Sequence, residues 1–360
     1  MARSSSPGDH RRRPRQADIA RVAGVSQATV SLIVNGRAGR DVQIAPETIQ
    51  RVHDAIEELG YAINPAGRSL AGGRNRLLGV YTFESLFPVD QRDFYHPFLL
   101  RIEREAERQG WDLLLFTSAT SADGRRSVYH DNVSRLRLAD GSILLGKDSR
   151  TDELQRLIRE QVPFVYLGRR DVPGTEIDHV TADYADATGR VVDHLVELGH
   201  RDLAYLPGST AAEPTADRNA GFEAAVDRHA LEVPEAHRRP ADIPDAVETD
   251  WLESVLADGV TALVAHHPEV AQRVLDLLAE RGERVPADRS VVSLNDPTAG
   301  TDPALAGFRI PREAMGVHSV RILIEKLTDP VDVGPRQLVL HCELAINGTA
   351  GPARPARSTT

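Results

Sequence analysis

The sequence predicts an α/β protein with a small all-helical domain at the N-terminus and a larger body built on parallel sheets. Short apolar patterns of helical period occupy residues 16–59, whereas apolar strand segments alternate with helical segments from residue 77 onward. The charge divides in the same way. Residues 1–76 carry 12 arginines against seven acidic residues, and residues 77–360 carry 31 Lys+Arg against 46 Asp+Glu. A basic head on an acidic body indicates a nucleic-acid-binding module joined to a domain that avoids nucleic acid.

Composition narrows the class of protein further. At 360 residues the chain should hold more than one domain. No run approaches the roughly 20 apolar residues of a membrane span, and no apolar stretch follows Arg11-Arg12-Arg13 as a secretory or twin-arginine signal requires. The single cysteine, Cys342, has no partner for an internal disulfide. We therefore expect a cytoplasmic protein, with residues 1–15 forming a disordered Ser/Pro/Arg-rich tail.

Residues 18–35 predict a helix-turn-helix. The first helix should bury the face that holds Ile19, Ala20, Val22 and Ala23, and Gly24 should end it, because glycine accepts a positive φ. Ser26 is a good N-cap for a second helix, which should bury Val30, Ile33 and Val34. The second helix of such a motif enters the major groove of DNA. The alternative is an ordinary helical hairpin.

A third helix, Pro46–Leu59, follows, with Pro46 at its first position and Gly60 after its end. The segments AGVSQATVS, ELGY and NPAGRSLAGG, in this order, resemble the lac repressor family of bacterial transcription regulators over residues 16–349. The resemblance implies a DNA-binding head at 16–63 and a hinge helix with linker at 64–75. It also implies an effector-binding and dimerisation domain at 76–349, followed by a loose tail at 350–360.

The same resemblance implies roles for residues of the head. Gln27, Ala28 and Leu32 match base-reading positions, where glutamine can bond adenine and alanine can touch a thymine methyl group. Ser26, Thr29, Ser31 and Asn35 are placed to bond phosphates, which fix register rather than sequence. In the hinge, Arg68 is expected at the DNA, and Leu70 matches a leucine that wedges into the minor groove.

In the body, the resemblance implies the two-lobed fold of periplasmic sugar-binding proteins. One lobe is expected to comprise about 76–178 with 308–329, and the other about 179–307 with 330–347. A small-molecule effector should bind between the lobes, at the carboxyl ends of parallel strands. Six residues are implied to contact it: Phe94, Tyr95, Arg218, His267, Asn295 and Asp296. Asn295 stands where the family usually has an aspartate, and His267 where an asparagine is common. The effector, a sugar or a related metabolite, is therefore expected to lie outside the family's commonest choices.

Other sequence features could suggest a nucleotide site, a metal site or catalysis, but they give little support for any of these. Gly141 to Asp148 nearly matches a P-loop, but Asp148 stands where a hydroxyl should bind magnesium, and the intervening residues are a buried strand pattern. His266-His267 is an adjacent pair without a Cys/His cluster, and no G-x-S-x-G motif occurs. We therefore expect no cofactor, no metal site and no enzymatic activity.

The sequence thus predicts a homodimeric, effector-responsive transcription regulator, by expectation a repressor, that binds a pseudo-palindromic operator. The alternative that the protein is a transcription activator of the same family stays open. The sequence also leaves open whether the effector promotes or releases DNA binding. A solute-binding protein for transport would share the body but not the head. An enzyme with a DNA-binding head would need a catalytic constellation that the motifs do not supply.

Overall fold

The computed structural model describes residues 14–34, 43–61, 75–84, 92–117, 126–146, 150–296, 304–329, 334–346 and 348–354. The chain divides into two compact units, residues 1–77 with 138–140 and residues 78–137 with 141–360. Asn35 of the head, and Arg68 and Leu70 of the predicted hinge, lie outside the described residues.

Three helices form the head: α1 (Gln16–Ala23), α2 (Gln27–Val34) and α3 (Pro46–Leu59). Gly24 ends α1 at a φ of 64°, and the Ser26 hydroxyl caps α2 by accepting the Thr29 N–H at 3.0 Å. The axes of α1 and α2 differ by 108°. The predicted helix-turn-helix is therefore confirmed, and so is the N-cap.

The head has a small apolar core around Ile19, Val30 and Val52, each fully buried. Burying each such side chain contributes roughly 1.5–3 kcal/mol, enough together to hold three short helices in place. One expected core residue was wrong: Val22 is 38% exposed, because residues 19, 20 and 23 already fill the inward stripe of α1.

The body opens with a six-stranded sheet in the order β12-β7-β6-β5-β1-β2. Its strands are β1 (Leu77–Thr82), β2 (Asp112–Phe116), β5 (Gly141–Leu145), β6 (Phe164–Leu167), β7 (His179–Ala182) and β12 (Gln337–Leu340). The registers from β12 through β1 are parallel. A hairpin of β3 (Tyr129–His130) and β4 (Val133–Ser134) lies between β2 and β5 in the chain. Helices α4 (Arg92–Arg108), α5 (Thr151–Arg159) and α10 (Arg312–Thr328) connect or flank these strands, and α4 packs on α10.

A second sheet has the order β10-β9-β8, all parallel. It consists of β8 (Leu203–Leu206), β9 (Ala262–Ala265) and β10 (Ser290–Ser293). In a separate two-stranded sheet, β11 (Gly307–Arg309) pairs antiparallel with β13 (Glu343–Ala345). The helices of this part are α6 (Tyr184–Glu197), α7 (Glu213–Arg228), α8 (Thr249–Ala257) and α9 (Pro268–Glu280). Strands alternating with helices confirm the predicted α/β class.

The lobe boundaries expected from the sequence place two strands in the wrong sheet. Residues 179–182 and 337–340 were assigned to the second lobe, but β7 pairs with β6 and β12 pairs with β7, both in the first sheet. The chain therefore crosses to the second sheet after Ala182. Pairing partners far apart in sequence determine this boundary, and no local pattern reports them.

Across the described residues, no single helix is long and apolar enough to cross a membrane; only the bent pair of α1 and α2 passes such a test together, by length and composition.

Candidate functional sites

The exposed start of α2 is the candidate DNA-reading surface. Ser26, Gln27 and Ala28 are exposed, whereas Val30, Ile33 and Val34 anchor the opposite face in the head core. The Thr29 and Ser26 hydroxyls lie 2.8 Å apart, so both are already engaged in the cap. The helix carries no charged side chain. Its free N–H groups and positive dipole end favour a phosphate there.

Ion pairs join residues near the carboxyl ends of the two sheets in the body. Arg312, at the start of α10 beside the first sheet, forms an ion pair with Asp296, which follows β10 of the second. Arg170, after β6, pairs with Glu213 at the start of α7 at 3.0 Å. We call this region the cleft. In open parallel sheets, ligands bind outside the carboxyl ends of the strands.

The two aromatic side chains at the start of α4 differ in their exposure to solvent. Phe94 is 37% exposed, whereas Tyr95 is 3% exposed and donates its hydroxyl to the Glu84 carboxylate. Burial and the neighbouring Glu84 raise the pKa of Tyr95. Only Phe94 therefore presents a ring that could stack on a ligand, and the Arg312 guanidinium lies 4.9 Å from the centre of that ring.

The two polar residues after β10 are held by internal bonds. Asp296 accepts the Ile310 N–H at 2.6 Å in addition to its ion pair with Arg312. The side-chain oxygen of Asn295 accepts the Asp296 N–H at 2.9 Å. Burial lowers the pKa of Arg312 to about 10, still well above neutrality, so the pair remains ionic. Asp296 thus joins the two sheets, and its carboxylate is largely occupied.

Arg218 is a buried cation among the expected effector residues. It is 4% exposed, donates Nε–H to the Leu294 carbonyl at 2.6 Å and donates Nη1–H to the Pro214 carbonyl at 2.9 Å. Its guanidinium lies 4.0 Å from the centre of the Tyr184 ring. Burial lowers its pKa, and no carboxylate in the part of the chain that the structure describes forms an ion pair with it.

Two adjacent histidines follow β9. His267 precedes α9 and lies 3.5 Å from an Asp242 carboxylate oxygen. His266 is 2% exposed, and its Nδ1 has no hydrogen-bond partner. Burial first, then Arg218 and His267, lower the pKa of His266 to about 2, so its ring is neutral. Only His267 was expected here from the sequence. The alternation along β9, which places Ala262, Val264 and His266 on one face, is the signal that could have found His266.

Ion pairs across the cleft were also missed. Besides Arg170–Glu213, Arg169 pairs with Asp217 at 2.7 Å. Both acids lie on α7, the helix of Arg218. These partners are more than 40 residues apart in the chain. The P-loop-like segment behaves as expected instead: Gly141–Leu145 is the fully buried strand β5.

Within the described ranges one group of side chains could hold a metal ion by geometry, namely Asp183, Asp186 and His341, whose ligand atoms lie within 4.8 Å of one another. Asp183 already caps α6, and Asp186 lies 3.6 Å from the Arg190 guanidinium. The nearby Arg190 cation disfavours metal binding at this group.

Residues 17–64 match the model described as bacterial regulatory proteins, lacI family, and residues 192–349 match a periplasmic binding protein-like domain. The chain is 28% identical over 347 residues to the HTH-type transcriptional regulator CelR of Thermobifida fusca, covering 94% of this chain and 98% of that protein. The chain belongs to the lacI family of bacterial regulatory proteins.

Solved structures agree with this lacI-family assignment. A CelR–cellobiose complex superposes with a TM-score of 0.62 at 25% identity, covering 94% of this chain and all of that one. A lac repressor dimer bound to operator and the anti-inducer ONPF superposes with a TM-score of 0.68 at 23% identity, covering 95% and 100%; this likeness shows the fold. The predicted family, fold class and function as a DNA-binding transcription regulator are confirmed, and these relatives are regulators rather than enzymes.

Proposed function

We propose that this lacI-family regulator binds a pseudo-palindromic operator as a homodimer, represses transcription there, and is controlled by a small-molecule effector in the cleft. The DNA-binding part of this proposal rests on the structure of α2. It is capped by Ser26, anchored by three buried aliphatic residues and exposed at its N-terminal end. This is the arrangement that a recognition helix needs to enter a major groove without losing its own fold.

On the DNA side, Gln27 is proposed to read a base, because its exposed amide can bond adenine bidentately. Ala28 and Leu32 would make apolar contacts, and Ser26, Thr29, Ser31 and Asn35 would lie near phosphates. In the proposed hinge, Arg68 and Leu70 would reach the DNA at the operator centre. These assignments rest on the exposed face of α2 and, for the residues outside the described ranges, on the family resemblance.

On the effector side, the cleft supplies an exposed ring at Phe94, the buried cation of Arg218 and polar groups at His267, Asn295 and Asp296. CelR was solved with cellobiose. A carbohydrate or a related metabolite is therefore the effector class proposed for this chain. Because the cleft lies between two sheets joined by ion pairs, a ligand there can favour one relative position of the two parts over another.

The experiment that tests the effector site replaces Arg218 with alanine. Operator binding by fluorescence anisotropy should stay near the wild-type affinity, whereas the change in affinity caused by effector should be lost, since the variant lacks the cleft cation. Arg228→Ala is the matched control, because Arg228 lies on the same helix and is half exposed in a surface pair with Asp193. An unchanged effector response in Arg218→Ala would place the ligand outside this cleft.

A further inference from the structure

The arginines around the cleft are not equivalent. Arg169, Arg170 and Arg312 each pair with a carboxylate: Asp217, Glu213 and Asp296, respectively. Arg218 lies among them on α7, yet in the described parts of the chain it meets only carbonyl oxygens and aromatic rings. Of these four arginines, only Arg218 lacks a carboxylate partner among the described residues.

Such an exception has a physical cost. A buried charge is much less stable than a hydrated one unless an opposite charge and hydrogen bonds compensate for it. Two carbonyl bonds and the face of Tyr184 compensate in part, but a guanidinium has five N–H donors. The described residues accept from only two of its nitrogens. An anion bound at Arg218 would supply the charge and the missing acceptors together.

Among the described residues, three carboxylates of this part of the body already accept hydrogen bonds. Asp296 is bonded to Arg312 and to a backbone N–H, and Glu84 accepts from Tyr95. Asp242 is bonded to the Ser209 backbone and hydroxyl. These carboxylates would have to exchange existing partners to accept ligand hydroxyls, a cost that an anion bound at Arg218 avoids.

His266 adds a second group near α7. Its ring and Thr215, on the helix of Arg218, both lie against Gly208. Its Nδ1 is buried and has no hydrogen-bond partner, and the positive charge of Arg218 helps to lower the pKa of the ring. A neutral imidazole carries one N–H, so it can donate one hydrogen bond to a ligand oxyanion. The body as a whole carries 31 Lys+Arg against 46 Asp+Glu over residues 77–360, so a general attraction for anions does not arise from it.

We propose that the effector is an acidic carbohydrate whose oxyanion, a carboxylate or a phosphate monoester, binds against Arg218 and His266. This inference rests on the effector site proposed above and restricts its ligand class. The exposed ring of Phe94 would contact the sugar part, and the oxyanion would complete the hydrogen bonding of Arg218. Charge-assisted hydrogen bonds should favour the acid over the matched neutral sugar by about ten- to hundredfold in Kd.

The test uses the full-length protein and matched pairs of ligands: cellobionate with cellobiose, glucuronate with glucose, and glucose 6-phosphate with glucose. Binding is measured by calorimetry and by the shift in Tm, since a ligand that binds only the folded state raises it. At least one acid should bind wild type ten- to hundredfold more tightly than its neutral partner. Arg218→Met should lose this preference, and Arg218→Lys, which keeps the charge, should retain part of it. Arg228→Met is the control and should keep it fully.

Other results of this experiment would distinguish a wrong ligand class from a wrong binding site. A neutral sugar that binds as tightly as its acid, with binding lost in Arg218→Met, would overturn the anionic ligand and leave the cleft site standing. A ligand that binds wild type and Arg218→Met equally would overturn the site itself. No response of wild type to any of the acids would overturn the inference, because an uncompensated arginine should bind at least one of these anions.

Discussion

Removing the Glu213 carboxylate tests whether ion pairs across the cleft hold the two sheets of the body together. Glu213 receives Arg170 Nη1 at 3.0 Å and the Asp171 N–H at 3.0 Å. The side chain of Arg170 is only 5% exposed, and that of Glu213 is 19% exposed. Glu213→Ala therefore removes this carboxylate from a nearly buried guanidinium.

The magnitude follows from that burial. Removing one partner of a buried ion pair costs about 3–5 kcal/mol, because the other charge stays desolvated. Arg170 keeps bonds to the Gly146 and Arg169 carbonyls, and Glu213 is partly hydrated. We therefore expect the lower end, about 3 kcal/mol in the free energy of unfolding. Urea unfolding followed by the fluorescence of Trp111 and Trp251 measures it.

The control is Glu223→Ala, the same change on the same helix. Glu223 pairs with Arg238, but its side chain is 48% exposed, so its loss should cost about 0–1 kcal/mol. If Glu213→Ala cost no more than Glu223→Ala, the pair across the cleft would be worth no more than a surface ion pair, and the reasoning from burial would be refuted.

Two further changes test packing and pH dependence. Gly221→Ala places a Cβ 2.3 Å from the Ala185 carbonyl oxygen and should lower the free energy of unfolding, measured by thermal unfolding, by about 1–3 kcal/mol. Gly189→Ala, which has room for a Cβ, is the control and should be neutral or stabilising. Equal effects of the two changes would contradict the close contact between α6 and α7 at Gly221. Hydrogen bonds from two arginines and a glutamine lower the pKa of Glu105 from its ordinary 4.5 to about 2, so its stabilising contribution is present above pH 4.5 and is lost as pH falls through about 2. Glu105→Gln should reduce the change in the free energy of unfolding between pH 4.5 and about pH 2. Glu107→Gln, at an exposed position, is the control. An equally steep pH dependence in the two variants would contradict this reasoning.

Local patterns were enough for much of the fold. The bounds of α3 follow the sequence prediction, and β1 begins at residue 77, where strand segments were expected to start, because caps, glycines and apolar period are encoded within each segment. The same holds for the Ser26 cap and for the buried face of α2. The crossing after β7 could not be predicted, since it depends on which distant strand β7 pairs with.

Arg218 and Phe94 were expected from the sequence to contact an effector. The structure places Arg218 beside the Tyr184 ring and Phe94 beside Arg312, and their contact with a ligand stays a prediction. Tyr95 was expected beside Phe94 as a second exposed ring, but packing against the first sheet buries it. The ion pairs across the cleft join residues distant in sequence, so composition and spacing carried no sign of them.

In vitro selection of DNA from a random library, with wild type and Gln27→Ala in parallel, tests the central claim most directly. Wild type should enrich a motif of two-fold symmetry, because a homodimer presents two copies of α2 to the DNA. Gln27→Ala should lose about 1–3 kcal/mol and relax the preference at one base pair in each half-site. No symmetric motif from wild type, or equal weakening of Gln27→Ala on every sequence, would contradict the account of α2 as the recognition helix.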